Sequence, residues 1–383
     1  MKFFNLFNKI YNKKLIIFGA GLVGKNLIEE YDLPINYFVD NDQNKWGSKI
    51  NNTPIYSPER LKRENKKDVA IIILSEAFEA ISEQLESLGF NKNEHFWLNP
   101  DHENINQPIV DIKNINKSLL VTCFSTNGGL FLIDLKENNI TKLVSGNFRG
   151  IIKTDNYLFV ADEFEGIIQF DERINVIDHY KYDEVINTHG LAFDSVREIL
   201  YVAESGKDRI GIFETNPLRR IDEISIGELG DGSHHINDLW IDEKKMYISM
   251  FSKIGRWRKG IFDSVVVELD LDSKYITNTL IEGLKQPHSV KLFNDKLYYL
   301  DSMNFNLGLN GNTIAEFNGF LRGLTYDGNY FYIGQSELKY LNRKPNNKNN
   351  VNIGCGIYIY DSNAEISRFV NVPATYIYDI ILC

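Results

Sequence analysis

Cysteine is scarce in this chain. Three residues in 383, Cys123, Cys355 and Cys383, leave no room for a disulfide framework or a CxxC zinc site, and scattered thiols suit a reducing cytoplasm. Basic charge is also in deficit. A net charge of −10 excludes non-specific nucleic-acid binding and electrostatic docking on anionic lipid. No apolar run approaches the length that spans a bilayer. The opening MKFFNLFNKIYNKKLIIFGAGLVG places basic residues before an apolar stretch, but that stretch is short and Gly-rich, so it reads as strand and loop rather than a signal peptide. From Ser118 onward there is no helical segment of any length, which excludes an α/β fold there. What is present is 43% hydrophobic and 13% aromatic residues, ample for β-rich cores in about two domains.

The informative feature is a loose repeat. A polar residue opens a short apolar strand six times: Arg149-Gly-Ile-Ile, His189-Gly-Leu-Ala, Asn237-Asp-Leu-Trp, His288-Ser-Val-Lys, Arg322-Gly-Leu-Thr and Tyr378-Asp-Ile-Ile. A second strand follows most copies (YLFVADE, ILYVAES, MYISMFS, LYYLDS, YFYIGQS). Spacings of roughly 34 to 55 residues with several short strands per copy mark a β-propeller. TYIYDIIL fits the innermost place of a blade whose other strands are SLLVTCF, LFLIDL and the segment near Ile140. Six blades result, closed by the C-terminal strand.

Residues 1–98 read as a separate domain. KLIIF, INYFVD, DVAIIIL and HFWL are strands; 22–31 and 76–90 have helical character, the latter with Phe78, Ile81, Leu85 and Leu88 at helical spacing. A further short helix is expected over the first dozen residues. The predicted fold class is therefore α/β plus all-β: a small Rossmann-like domain with a parallel sheet, then a six-bladed propeller over 117–383. Between them 99–116, polar with two prolines, has the composition of a linker.

Gly19, Gly21 and Gly24 follow the first strand and open a helix, and Asp40 ends the second strand. Glycines allow close backbone approach, a helix N-terminus offers N–H groups to phosphate, and an acidic side chain accepts ribose hydroxyls. That arrangement suits a nucleotide or nucleotide-sugar, or a structural fold of the same shape without a ligand. The run FVDNDQNKWGSKINNTPIYSPERL resembles the N-terminal domain of bacterial sugar acyltransferases from surface-glycan clusters. The resemblance covers about residues 14–98 and implies nucleotide-sugar binding. No hexapeptide β-helix follows, so acyl transfer is not implied.

Propeller topology puts the start of each innermost strand at one mouth of the channel. Arg149, His189, His235, Asn237, His288, Arg322 and Tyr378 should share that face, with Glu163, Glu204, Asp301 and Gln335 nearby. The longest loops fall there too, one carrying Trp257 and Arg258. Three readings are open for His189, His235 and His288: ligands of a divalent metal such as zinc, metal-free acid–base groups, or ordinary polar lining. Arg149, Arg322 and Arg258 suggest an anionic ligand, because guanidinium forks grip carboxylate or phosphate. In an enzyme Tyr378 would move a proton, while Asn237, Arg258, Asp301 and Trp257 would contact substrate. The opposite mouth reads as short and plain.

The motifs His235-Ile-Asn237, Trp257-Arg258, Gly283-Leu-Lys-Gln-Pro-His288-Ser, Leu300-Asp-Ser302 and Ile333-Gly-Gln-Ser336 resemble the bacterial domain-of-unknown-function family 4915 over about 118–383. That resemblance implies a propeller and a site but no reaction. The arrangement is also similar to the amidoglycolate-lyase and gluconolactonase-like propellers, whose channels hold divalent metals. The expected function is surface-glycan or sugar metabolism, with a nucleotide or nucleotide-sugar in the first domain and an anionic sugar or acid in the channel; if the protein is an enzyme, the step is a metal-dependent lyase or hydrolase reaction. The alternative is a non-catalytic propeller that docks a protein partner.

Overall fold

The computed structural model describes residues 10, 12–22, 24, 34–125, 127–227, 230–261, 263–338 and 350–383. The chain divides into two compact units, Met1–Val110 and Asp111–Cys383. The short helix expected at the start of the chain, and most of that expected over 22–31, lie outside the described residues.

The first unit is built on a six-stranded sheet: β1 (Lys14–Phe18), β2 (Ile35–Val39), β3 (Lys49–Ile50), β4 (Thr53–Tyr56), β5 (Val69–Ile73) and β6 (Phe96–Leu98), in the order β3-β4-β2-β1-β5-β6. The apolar runs of β1 and β5 take the centre, where both faces are covered. Helix α1 (Phe78–Ser87) packs Ile81 and Leu85 on one face, with Phe18, Ile71 and Phe96. The predicted parallel sheet requires correction. β3 pairs antiparallel with β4, so the sheet is mixed. The reason is local: Asn51 and Asn52 both take positive φ, 44° and 68°, which makes a tight hairpin of the kind asparagine tolerates. Among the described residues strand far outweighs helix and the structure is nearly all-β, so the α/β component is minor. The polar stretch read as a linker holds helix α2 (Pro100–Lys113), with Pro108 inside it and Ile112 buried. Pro100 opens the helix, where proline is tolerated, whereas Pro108 lies in its interior, and composition alone does not reveal such a helix.

The second unit is six four-stranded sheets in a six-bladed propeller. The innermost strands are β10 (Phe148–Lys153), β14 (Thr188–Asp194), β18 (Ile236–Asp242), β22 (Pro287–Phe293), β26 (Phe320–Tyr326) and β30 (Tyr376–Leu382). Burial decreases outward, from the wholly buried start of β14 to the mostly exposed fourth strand β9 (Asn139–Ser145). Aspartates stop the strands. Asp194 Oδ1 accepts from the N–H groups of Val196 and Arg197, and Asp361 Oδ1 accepts from those of Asn363 and Ala364. The ring closes as its repeat pattern predicts: β30 pairs antiparallel with β7 (Ser118–Phe124), Ile380 opposite Val121, so segments from both ends of the unit share one blade.

Candidate functional site

Each innermost strand is irregular near its start. Pairing with the next strand slips between Phe148 and Ile151, Thr188 and Leu191, Ile236 and Asp238, His288 and Lys291, Leu321 and Leu324, and Ile377 and Asp379. These are β-bulges, which kink a strand and re-aim its side chains. Arg149, His189, Asn237, Arg322 and Tyr378 sit within them, and His288 is the last paired residue before one. Gly323, at φ 77°, provides the turn that Arg322 needs.

The bulges bring a closed hydrogen-bond network together. The Arg149 guanidinium donates to His189 Nε2, so that nitrogen is the acceptor and Nδ1 carries the proton. His189 Nδ1 then donates to Asn237 Oδ1 at 3.1 Å, and Tyr378 Oη donates to the same oxygen at 2.8 Å. Asn237 Nδ2 donates to His288 Nε2 at 3.1 Å. His288 Nδ1 donates to the Gln286 carbonyl at 2.9 Å and Ser302 Oγ at 2.8 Å. Asn237, fully buried, is the hub. Burial first, then the Arg149 charge, pushes His189 well below the usual histidine range; burial and Arg322 do the same to His288. Burial raises Tyr378 well above the usual phenol range. All three are neutral at pH 7.

Above this network lies a cavity of about 380 Å³. Of the predicted site residues, Arg149, His189, His235, Trp257 and Arg322 line it; His288, Asn237 and Tyr378 do not, and belong to the network. Arg258 is exposed on the rim loop and is not part of the lining. Asp301 is a turn residue, with Oδ1 accepting from the Lys285 N–H at 2.8 Å and Oδ2 from Asn304 Nδ2 at 2.7 Å, so its carboxylate is already engaged. Phe124, Asn187, Phe251, Gln286, Phe320 and Tyr376 also line the cavity and were missed. Most lie at strand ends beside the repeat positions, which is the only signal the sequence carries for them.

Aromatic rings of the cavity wall and of the network beneath it form a continuous collar. Phe124 contacts Tyr378 at 6.2 Å between centroids, Tyr378 contacts His189 at 5.4 Å, and His189 contacts His235 at 4.9 Å. The chain of contacts continues from His235 to Phe251 at 4.3 Å, to His288 at 5.4 Å and to Phe320 at 5.6 Å. Arg322 completes the collar, its guanidinium 5.1 Å from the Phe320 ring and 5.3 Å from that of Phe124.

The charges around the cavity are unevenly matched. Arg149 forms an ion pair with Glu163 at 2.7 Å and donates to Asn187 Oδ1 at 2.7 Å. Arg322 has no hydrogen-bond or carboxylate partner among the described residues, and its Nε is buried and unbonded. Burial and the Arg149 charge lower it to about 10, which leaves it cationic. Among the described residues, no partner engages the ring nitrogens of His235. Its ring lies against Phe251 and, at 4.5 Å, Trp257, and its backbone takes φ 53° with its N–H held by Asp208. Burial, then Arg149, Arg322 and Arg258, lowers it to about 3.

The divalent metal expected at His189, His235 and His288 does not fit this donor set. Both ring nitrogens of His189 and of His288 are engaged, Asn237 stands between those two rings, and the guanidiniums would repel a cation. Among the described residues no three His, Cys, Asp or Glu side chains converge.

Farther along the innermost strands Asp238, Lys291 and Asp379 are buried, with Lys291 Nζ 3.8 Å from Asp379 Oδ2. Burial pushes Asp238 up to about 7. Contrary to expectation, the opposite mouth is not plain. It opens into a cavity of about 920 Å³ with Trp240, Lys291 and Phe293 in its wall.

In the first unit the glycine loop has structural duties. Gly19 has φ 116° and lies so close to the Leu74 carbonyl that a Cβ would meet it at 2.3 Å; Gly24 packs against the Gly19 carbonyl and Phe38. Gly21 is open. Asp40 Oδ2 accepts from the Ala20 N–H at 2.7 Å and Lys45 Nζ at 2.9 Å, and Oδ1 accepts from the Asp42 N–H at 2.9 Å. The carboxylate that was to receive a ribose braces the loop instead.

The fold and mouth define a six-bladed propeller with a polar, aromatic-walled channel. Residues 228–382 match the family described as a domain of unknown function (DUF4915), a narrower span than the resemblance suggested. Residues 11–96 match the family described as C2185-like, N-terminal, and the sugar-acyltransferase resemblance is not supported. None of the curated proteins matches the chain. A chain in the crystal structure of a nidogen/laminin complex is similar at 13% identity, covering 70% of this chain and 98% of that one with a TM-score of 0.53. A protein of unknown function from Bacteroides caccae is similar at 11% identity, covering 70% and 99%, also with a TM-score of 0.53. At such identities the likeness concerns fold alone.

Proposed function

We propose that the collared mouth of the propeller binds the anionic group of a small organic molecule. The observation that carries this reading is Arg322, a guanidinium without a carboxylate partner, facing a cavity beside neutral histidines. An unpaired, partly buried cation is costly unless something completes it, and carboxylate matches its fork. His235 and Gln286 offer polar edges at the same wall. Titration calorimetry of the full chain with benzoate tests the proposal. Wild type binds, and Arg322→Gln loses at least tenfold, the equivalent of one charge-assisted hydrogen bond at about 1.5–3 kcal/mol. Equal affinity in the variant rejects it.

A second reading, proton transfer on the bound acid, is favoured by one observation: His235 has free ring nitrogens in the same cavity as Arg322. On that reading His235→Gln abolishes turnover while leaving ligand affinity within severalfold. His189 and His288 then act as positioning residues.

A further inference from the structure

The composition of the collar selects among anions, and we infer that the ligand is a flat, apolar-bodied monocarboxylate (an aryl or conjugated acid) rather than a sugar acid. This inference rests on the anion reading and narrows it.

Charge gives the first constraint. Arg149 is neutralised by Glu163, which leaves one uncompensated guanidinium at the wall, Arg322. Glu337 also lines the cavity and opposes a second negative group. One carboxylate is matched, whereas a dianion is not.

Surface chemistry gives the second. The collar presents ring faces and edges almost without interruption, and Arg322 itself lies on the rings of Phe124, Phe320 and Tyr378 at 5.1–5.8 Å. The Phe124–Tyr376 pair is stacked at 5.0 Å with 23° between planes, which extends one flat wall to the lip. Such walls favour offset or edge-on contact with a planar ligand.

Polar valence gives the third. The histidines of the network spend every ring nitrogen internally, as does the amide of Asn237. Among the described residues, the lining groups left to meet ligand oxygens or nitrogens, besides Arg322, are the ring of His235, the side-chain amide of Gln286, Nδ2 of Asn187, the Tyr376 hydroxyl and the Glu337 carboxylate, and phenylalanine rings separate them. A hexuronate carries a hydroxyl on most carbons. Packed against phenylalanine rings, several of these would lose water without gaining a partner, which is unfavourable for each one. A planar carboxylic acid with one polar substituent buries no unpaired polar group of its own. At about 380 Å³ the cavity has the volume of about a dozen waters, enough for such a molecule.

Titration calorimetry of the full chain in a carboxylate-free buffer, with benzoate and glucuronate as probes at one pH and salt concentration, decides the matter. Benzoate is expected to bind at least tenfold more tightly. Trp257→Leu, at the aromatic wall, is expected to reduce that ratio by weakening benzoate alone, with the circular dichroism melt confirming a folded chain. Equal affinities, or preference for glucuronate, overturn the inference while the anion reading stands. Failure of both probes to bind wild type overturns the anion reading and this inference together.

Discussion

Asn237 is where the channel is most open to experimental attack. Replacing it by alanine removes one acceptor oxygen and one donor nitrogen from a site with no exposure to solvent. The three partners are affected unequally. Tyr378 Oη keeps the residue-237 carbonyl as acceptor at 3.2 Å. His189 Nδ1 loses the acceptor that fixes its tautomer, a buried N–H left unmet at about 1–3 kcal/mol. His288 Nε2 loses its donor, and the amide leaves a small void. The expected total is about 2–4 kcal/mol, or roughly 3–8 °C in melting temperature for a domain of this size. Scanning calorimetry measures the loss, and hydrogen exchange over β14 and β18 assigns it to the propeller. Asn237→Asp separates hydrogen bonding from volume. It keeps both accepted bonds but sets an oxygen lone pair against His288 Nε2, so its deficit relative to wild type should shrink as pH falls and His288 gains a proton. A loss under about 0.5 kcal/mol in Asn237→Ala, with no pH trend in Asn237→Asp, would falsify the network described above.

Other perturbations have definite signs. His235 is depressed to about 3 against an unfolded value near 6.5, so the unfolded chain binds the extra proton. Relative to His235→Phe, wild type should lose stability as pH falls from about 6.5 toward 3, by up to about 1.4 kcal/mol per pH unit, read from denaturant midpoints at pH 5 and 7.5; parallel curves contradict the assignment. Glu163→Gln uncovers the Arg149 charge and should raise benzoate affinity about tenfold at low salt, with the gain shrinking as salt is added. Asp40→Ala strips the bonds to Ala20, Asp42 and Lys45 and should destabilise the first unit by about 2–3 kcal/mol, seen as lost exchange protection in β1 and β2. Lys291→Met leaves Asp379 and Asp238 buried without their cation and should lower the propeller's melting temperature, an effect expected to diminish in acid as the two carboxyls protonate.

The propeller was legible because its repeat is chemical as well as periodic: a polar residue, then small or apolar ones, at the start of every innermost strand. That pattern is the bulge. It marks Arg149, His189, Arg322 and Tyr378, which the structure holds in the bulges near the starts of their innermost strands. Which atoms pair with which was not legible. His189 and His288 look like metal ligands until Asn237 is seen between them, and residue types do not show that a neighbour has already used a nitrogen. Asp301 and Asp40 failed for the same reason: a carboxylate at a strand end is as suited to a turn's N–H groups as to a ligand. The helix over Pro100–Lys113 escaped because polar residues and two prolines describe a linker equally well. The β3–β4 hairpin was signalled by Asn51-Asn52, a turn pair hidden inside a strand–helix alternation.

Closure of the ring has a consequence for how the protein comes into being. β7 leaves the ribosome with its blade partners β8 (Gly129–Asp134) and β9, but its inner edge has no neighbour until β30 is made about 250 residues later. At typical synthesis rates that is roughly 13–50 s during which a strand of Leu, Val and Cys presents a bare hydrogen-bonding edge. The same strand delivers Tyr378, so the hydrogen-bond network around Asn237 is incomplete in any nascent chain short of it. A chain interrupted before Tyr376 would carry five finished blades and an open seam, with Asn237 lacking its Tyr378 partner.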